Sequence, residues 1–132
     1  MSKEMNMKKL FAIAALVCSI FTQCNSQNFR SINANDFEKA ISQPDVIVLD
    51  SRTAQEYADG HIRNAVNIDV KSADFEQKAV ATLDKSKTIA VYCRSGRRSK
   101  IAAATLVKNG FTVIELDCGI ICWSSAGKEV VK

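Results

Sequence analysis

Thr88-Ile89-Ala90-Val91-Tyr92-Cys93-Arg94-Ser95-Gly96-Arg97-Arg98-Ser99 joins an apolar run to a cysteine, a glycine-containing turn and a helical pattern that continues to Asn109. A strand that ends in a cysteine, turns tightly and enters a helix aims backbone N–H groups back at the sulfur. Such a nest, with the positive end of the helix dipole, stabilises an anion. Arg94, Arg97 and Arg98 add positive charge. The expected product is a thiolate of depressed pKa, placed where a small anion is drawn in.

The segments on either side extend this into an alternating pattern. Val46-Ile47-Val48-Leu49-Asp50 is a continuous apolar run, which suits a strand buried on both faces. Phe111 to Leu116 is a third strong strand and Ala65 to Ile68 a short one. Helices are expected between them. One starts at Asn35-Asp36-Phe37-Glu38, which reads as a capping pattern, and is broken by Pro44-Asp45. A short one opens at the capping pattern Thr53-Ala54-Gln55-Glu56 and ends at Gly60. A third runs over Ser72 to Leu83, and a fourth over Arg97 to Asn109 with Asn109-Gly110 as its stop. The tail from Gly119 to Ala126 adds a last short helix. Strands alternating with helices give an α/β fold with a parallel sheet and helices on both faces. Ligands bind such sheets beyond the carboxyl ends of the strands, and Cys93 stands at that end of its strand.

The chain has 132 residues, room for one domain. Its net charge of +4 is partly a property of the N-terminus, where Lys3, Lys8 and Lys9 outweigh Glu4. What remains is too small to argue for nucleic acid. Lys8-Lys9 followed by apolar Leu10 to Phe21 reads as a secretion signal, too short to span a bilayer comfortably. Phe21-Thr22-Gln23-Cys24 resembles a bacterial lipobox, with Gln23 where a small residue is usual. The expected organisation is a signal peptide over 1–23, a tether over 24–28 and a folded domain over 29–132. Cys24 is then lipidated, and the protein is exported to the periplasm or anchored to a membrane. Outside the leader, Cys93, Cys118 and Cys122 remain, an odd number that excludes a full disulfide framework.

Three blocks carry a resemblance to a known family. The first is Leu49-Asp50-Ser51-Arg52, then Glu56-Tyr57-Ala58-Asp59-Gly60-His61-Ile62 and Ala65-Val66-Asn67-Ile68. The second is Val91 to Ser99. The third is Gly110-Phe111 through Leu116 with Gly119 and Trp123. In this order and spacing the chain resembles a single-domain rhodanese, a sulfurtransferase. The resemblance implies a rhodanese-like parallel sheet of about five strands. It also implies that Cys93 attacks the outer sulfur of a donor such as thiosulfate, becomes a persulfide, and passes the sulfur to a thiol or cyanide. The backbone of Arg94, Ser95, Gly96, Arg97, Arg98 and Ser99 would cradle the sulfur, and the arginines would orient the departing anion. Asp50, Arg52 and Glu56 are expected to form a polar network beneath the loop. No cofactor and no metal are implied. Cysteine phosphatases place an arginine six positions after the cysteine; that position here is Ser99, which favours a sulfur atom over a phosphoryl group.

His61, the only histidine, falls in the family's structural Gly-His-Ile segment, and a thiolate ionised by its loop needs no base. Cys118 stands where the family usually has glycine. It is read as a packing residue, strained if its backbone requires positive φ. The alternative is a thiol-disulfide enzyme using Cys93 with Cys118 or Cys122; another is a non-catalytic persulfide carrier. A Cys118–Cys122 bond, four residues apart along a helix, is read as awkward geometry.

Overall fold

Thr88–Tyr92 (β4) has residues of alternating direction that are apolar on both sides, so it can be covered on both faces. Ile89 and Val91 enter one core cluster, and Ala90 and Tyr92 enter the other. The structure, a computed structural model, describes residues 28–132. The expected signal segment, Cys24 and all but the last residue of the expected tether lie outside the described residues.

Five strands form one parallel sheet in the order β1-β5-β4-β2-β3. The others are β1 (Arg30–Ile32), β2 (Val46–Asp50), β3 (Val66–Asn67) and β5 (Thr112–Leu116). Helices α1 (Ala34–Ile41), α2 (Ala54–Asp59), α3 (Phe75–Thr82), α4 (Arg97–Lys108) and α5 (Gly119–Ser125) connect and cover them. Phe75 and Ala79 of α3 and Ala102, Ala103 and Leu106 of α4 pack on one face. Phe37 of α1 and Ile120 and Trp123 of α5 pack on the other. The expected parallel α/β architecture, helices on both faces, is the one observed.

Three local expectations are corrected. β1 is a strand the sequence pattern does not announce, because Arg30-Ser31-Ile32 is short and mostly exposed; pairing with β5 makes it a strand. The first helix is capped by Asn33, whose side chain accepts from the N–H of Asp36, so it starts before the Asn35 pattern. The Thr53–Glu56 capping box is present as expected. Cys118 has an ordinary φ of −102°, and the positive φ of this turn falls on Gly119, at +70°, so Cys118 carries no backbone strain.

Candidate active site

Cys93 follows the last residue of β4, and the chain then turns through Gly96, φ +101°, into α4. The turn is built by close approach. A Cβ at Gly96 would run into the carbonyl of Asp117, and one at Gly119 would run into the carbonyl of Arg94. The Asp117-to-Gly119 turn after β5 therefore lies flush on the cysteine loop. It is fastened there by the Ile120 N–H to the Cys93 carbonyl (2.9 Å) and the Ile121 N–H to the Arg94 carbonyl (3.1 Å).

The sulfur lies inside this loop, with the residue 1% exposed. Gly96 N–H donates to Sγ at 3.1 Å, and the Ser99 hydroxyl stands 3.4 Å from it. Burial opposes ionisation of the thiol. The Ser99 side chain and the backbone N–H groups of Ser99, Gly96 and Ser95 outweigh it, so the pKa lies below its ordinary value. The sequence-expected nest is thus formed by the N-terminal residues of a helix of 12 residues.

The arginines divide. Arg98 is bidentate to Glu56, at 2.7 and 2.9 Å. That pairing holds the Glu56 carboxyl down to about 2, against the opposing effect of burial. Arg98 is thereby anchored to α2 beside the loop rather than left free to seize an anion. Arg94 and Arg97 are exposed and enter none of the ion pairs among the described residues. Arg94 lines a cleft with Arg52, Glu56, Asp59, Ile120 and Ile121.

Asp50 and Arg52 form one buried polar network, while Glu56, expected in the same network, pairs with Arg98 instead. Arg52 pairs with Asp50 at 2.7 Å and donates to the Gly60 carbonyl. The Tyr92 hydroxyl donates to Asp50 at 2.7 Å and accepts from the Ile62 N–H. Burial, with the Asp50 charge, pushes the Tyr92 phenol far above its ordinary pKa, so it stays a donor. His61 stacks on Tyr57 and hydrogen-bonds its carbonyl at 2.8 Å, a structural placement.

Cys118 and Cys122 are joined in a disulfide with Cα atoms 5.5 Å apart, and Cys93 is the free cysteine among the described residues. The bond takes the place of the free packing thiol expected at Cys118. Cys118 stands at the N-cap position of α5, four residues before Cys122. Glu115 belongs to no motif in the sequence. It is fully buried, and the Ser99 hydroxyl donates to it in a short hydrogen bond. Its one signal in the sequence is a charge inside an otherwise apolar strand.

The model of the rhodanese-like domain family matches residues 33–126. The chain belongs to the rhodanese-like domain family. A rhodanese-related protein from Thermoplasma volcanium superposes with a TM-score of 0.69 at 33% identity, over 77% of this chain and 97% of that one. A rhodanese-like domain from Anabaena sp. gives 0.69 at 28% identity, over 76% and 77%. Among curated proteins, the tRNA uridine(34) hydroxylase of Wigglesworthia glossinidia brevipalpis is 38% identical over 96 residues, 68% of this chain and 30% of that protein. The corresponding enzyme of Yersinia enterocolitica is 36% identical over 104 residues, 74% of this chain and 29% of that protein. The chain therefore spans about 30% of the length of these curated relatives. Their match accounts for a rhodanese-like domain and leaves most of each hydroxylase outside it.

Proposed function

We propose that this rhodanese-like domain is a sulfurtransferase that carries sulfane sulfur on Cys93. The observation that supports it most is the Cys93 sulfur seated against the Gly96 N–H at the start of α4, with its pKa lowered. The thiolate attacks the outer sulfur of thiosulfate or a related donor. A Cys93 S–S bond forms, the donor S–S bond breaks, and sulfite leaves with the electron pair. An acceptor thiolate then attacks the outer sulfur, takes it as its own persulfide, and returns Cys93 to the thiolate. The N–H groups of the loop hold the negative sulfur at each stage. Arg94 and Arg97, exposed and in no ion pair among the described residues, receive the anionic donor and release sulfite. Arg98, held by Glu56, fixes the loop's position and adds a standing positive charge.

The curated relatives favour a second reading, in which the domain serves an oxidation of tRNA, as their name states of them. The disulfide between Cys118 and Cys122 supports neither a Cys93–Cys118 nor a Cys93–Cys122 couple, so the thiol-disulfide alternative is the weaker one. Export, and attachment to a membrane through lipidated Cys24, belong to the same proposal; incorporation of labelled palmitate that Cys24→Ser abolishes would test them.

The deciding experiment is the intact mass of the protein after exposure to thiosulfate, beside Cys93→Ser. A gain of one sulfur atom, absent from the variant and removed by cyanide, is the expected result. No gain in the wild type, with hydroxylated tRNA formed instead by the same protein, sinks the sulfurtransferase reading.

A further inference from the structure

Glu115 is a charge in the middle of the sheet. It pairs with Ser31 of β1 on one side and with Val91 of β4 on the other. It is 0% exposed, yet every side-chain partner it has is a donor. Ser31 donates to Oε1 at 2.7 Å, Ser99 donates to Oε2, and Lys100 Nζ lies 3.2 Å from Oε1 and 3.4 Å from Oε2. A buried carboxylate is costly even when satisfied, and an apolar residue would fill a strand position without that cost. Sulfur transfer as described above assigns Glu115 no task.

The link to chemistry is Ser99. A serine hydroxyl has one proton and two lone pairs. The Ser99 oxygen lies between Glu115 and the Cys93 sulfur, in hydrogen-bonding contact with both. Its single proton can go to one of them at a time. We infer that Glu115, acting through Ser99, is a positioning residue that sets how strongly Cys93 is held as a thiolate. This rests on Cys93 being the sulfur carrier.

When Cys93 is a thiol, its S–H donates to Ser99 and Ser99 donates to Glu115, and all directions agree. When Cys93 ionises, the sulfur faces a lone pair unless Ser99 turns its proton from Glu115 to the sulfur. Ser31 and Lys100 remain as donors to Glu115 and make that turn affordable. When Cys93 carries the sulfane sulfur, Sγ is a poor acceptor and the proton returns to Glu115. The same hydroxyl thus serves different acceptors at different stages.

Other charges surround the pair. On the Cys93 side are Arg94 and Arg97 of the loop, and Arg98 with its partner Glu56 and the charge of Asp69. Beneath lie Asp50, Arg52 and the Tyr92 phenol. On the Glu115 side are Lys100 and the Asp117 that shares it, and exposed Arg30 on β1. The substitutions below leave all of these in place.

The test is the pH midpoint for alkylation of Cys93 by iodoacetamide in the full chain, read on the Cys93 peptide by mass spectrometry. Glu115→Gln frees the Ser99 proton for the sulfur, and the midpoint falls by about one pH unit. Ser31→Ala removes a competing donor from Oε1, strengthens the pull of Glu115 on Ser99, and raises the midpoint by about 0.3. Both shifts shrink below about a third of their size when Ser99 is also alanine. Shifts of undiminished size without Ser99, or unmoved midpoints in the single variants, overturn the inference. Ser31 is exposed on the edge strand, so Ser31→Ala, with and without Ser99→Ala, decides the matter even if Glu115→Gln fails to fold. Failure of the sulfurtransferase reading shows separately, as no sulfur gained from thiosulfate while alkylation still titrates.

Discussion

Glu56 receives both terminal nitrogens of Arg98, joining the short helix α2 to the start of α4 across the mouth of the Cys93 loop. The two residues are 42 positions apart in sequence. Arg98 is thereby a fixed part of the wall, whereas Arg94 and Arg97 are exposed and enter no ion pair among the described residues. Bidentate pairing of this kind gives geometry as well as energy.

Glu56→Gln lowers stability by about 1–2 kcal/mol at pH 7, a value reduced for partial solvent screening. The Glu56 pKa of about 2 lies below its ordinary 4.5. A depressed carboxyl pKa contributes stability that is present above the unfolded value and lost as pH falls through the folded one. The gap between wild type and variant in urea unfolding should therefore close between about pH 4.5 and about pH 2. A gap at pH 2 as large as that at pH 7 would show that the pair stabilises through something other than charge.

Arg94→Ala raises the KM for thiosulfate about tenfold, the loss of one exposed charge-assisted contact of about 1.4 kcal/mol. Since Arg94 is exposed and forms no ion pair among the described residues, the unfolding midpoint stays where it was. Steady-state kinetics beside a thermal melt separates the two. An unchanged KM removes Arg94 from donor recognition.

Tyr92→Phe tests the support beneath the loop. The lost hydroxyl leaves both the Asp50 carboxylate and the buried Ile62 N–H short of a partner. The expected cost is about 1–3 kcal/mol in urea unfolding, with the Cys93 alkylation midpoint little changed. A neutral result would mean that water replaces the hydroxyl.

What the sequence made legible follows from how local each signal is. The Thr53–Glu56 box, the apolar runs of β2, β4 and β5, and the turn from Cys93 through Gly96 into α4 are written in neighbouring residues. So is the family resemblance, which identified Asp50 and Arg52 as well as the loop. β1 was not legible, since Arg30-Ser31-Ile32 has no pattern of its own and becomes a strand only by pairing with β5. Glu115 was not legible for a related reason: its partners Ser31 and Ser99 lie 84 and 16 residues away. The separation of Arg98 from Arg94 and Arg97 was hidden too, because it depends on where α2 places Glu56. The Cys118–Cys122 bond was not legible either, since a four-residue spacing does not by itself say whether two thiols are joined.

Gly119→Ala and Gly110→Ala form a matched pair. Both glycines have positive φ, +70° and +88°, so alanine meets a conformational penalty of about 1 kcal/mol at either site. At Gly110 the new methyl has nothing within 4 Å. At Gly119 it meets the Arg94 carbonyl and the Ser95 nitrogen, backbone that cannot swing aside as a side chain can. Overpacking adds about 1–3 kcal/mol there. The added methyl also pushes the Cys93 loop away from the turn that seats it. Gly119→Ala should therefore lose stability by more than Gly110→Ala and take up sulfur from thiosulfate at least tenfold more slowly. Gly110→Ala should load at the wild-type rate. Equal loading rates in the two variants would mean that the Asp117-to-Gly119 turn does not hold the loop in its reactive form.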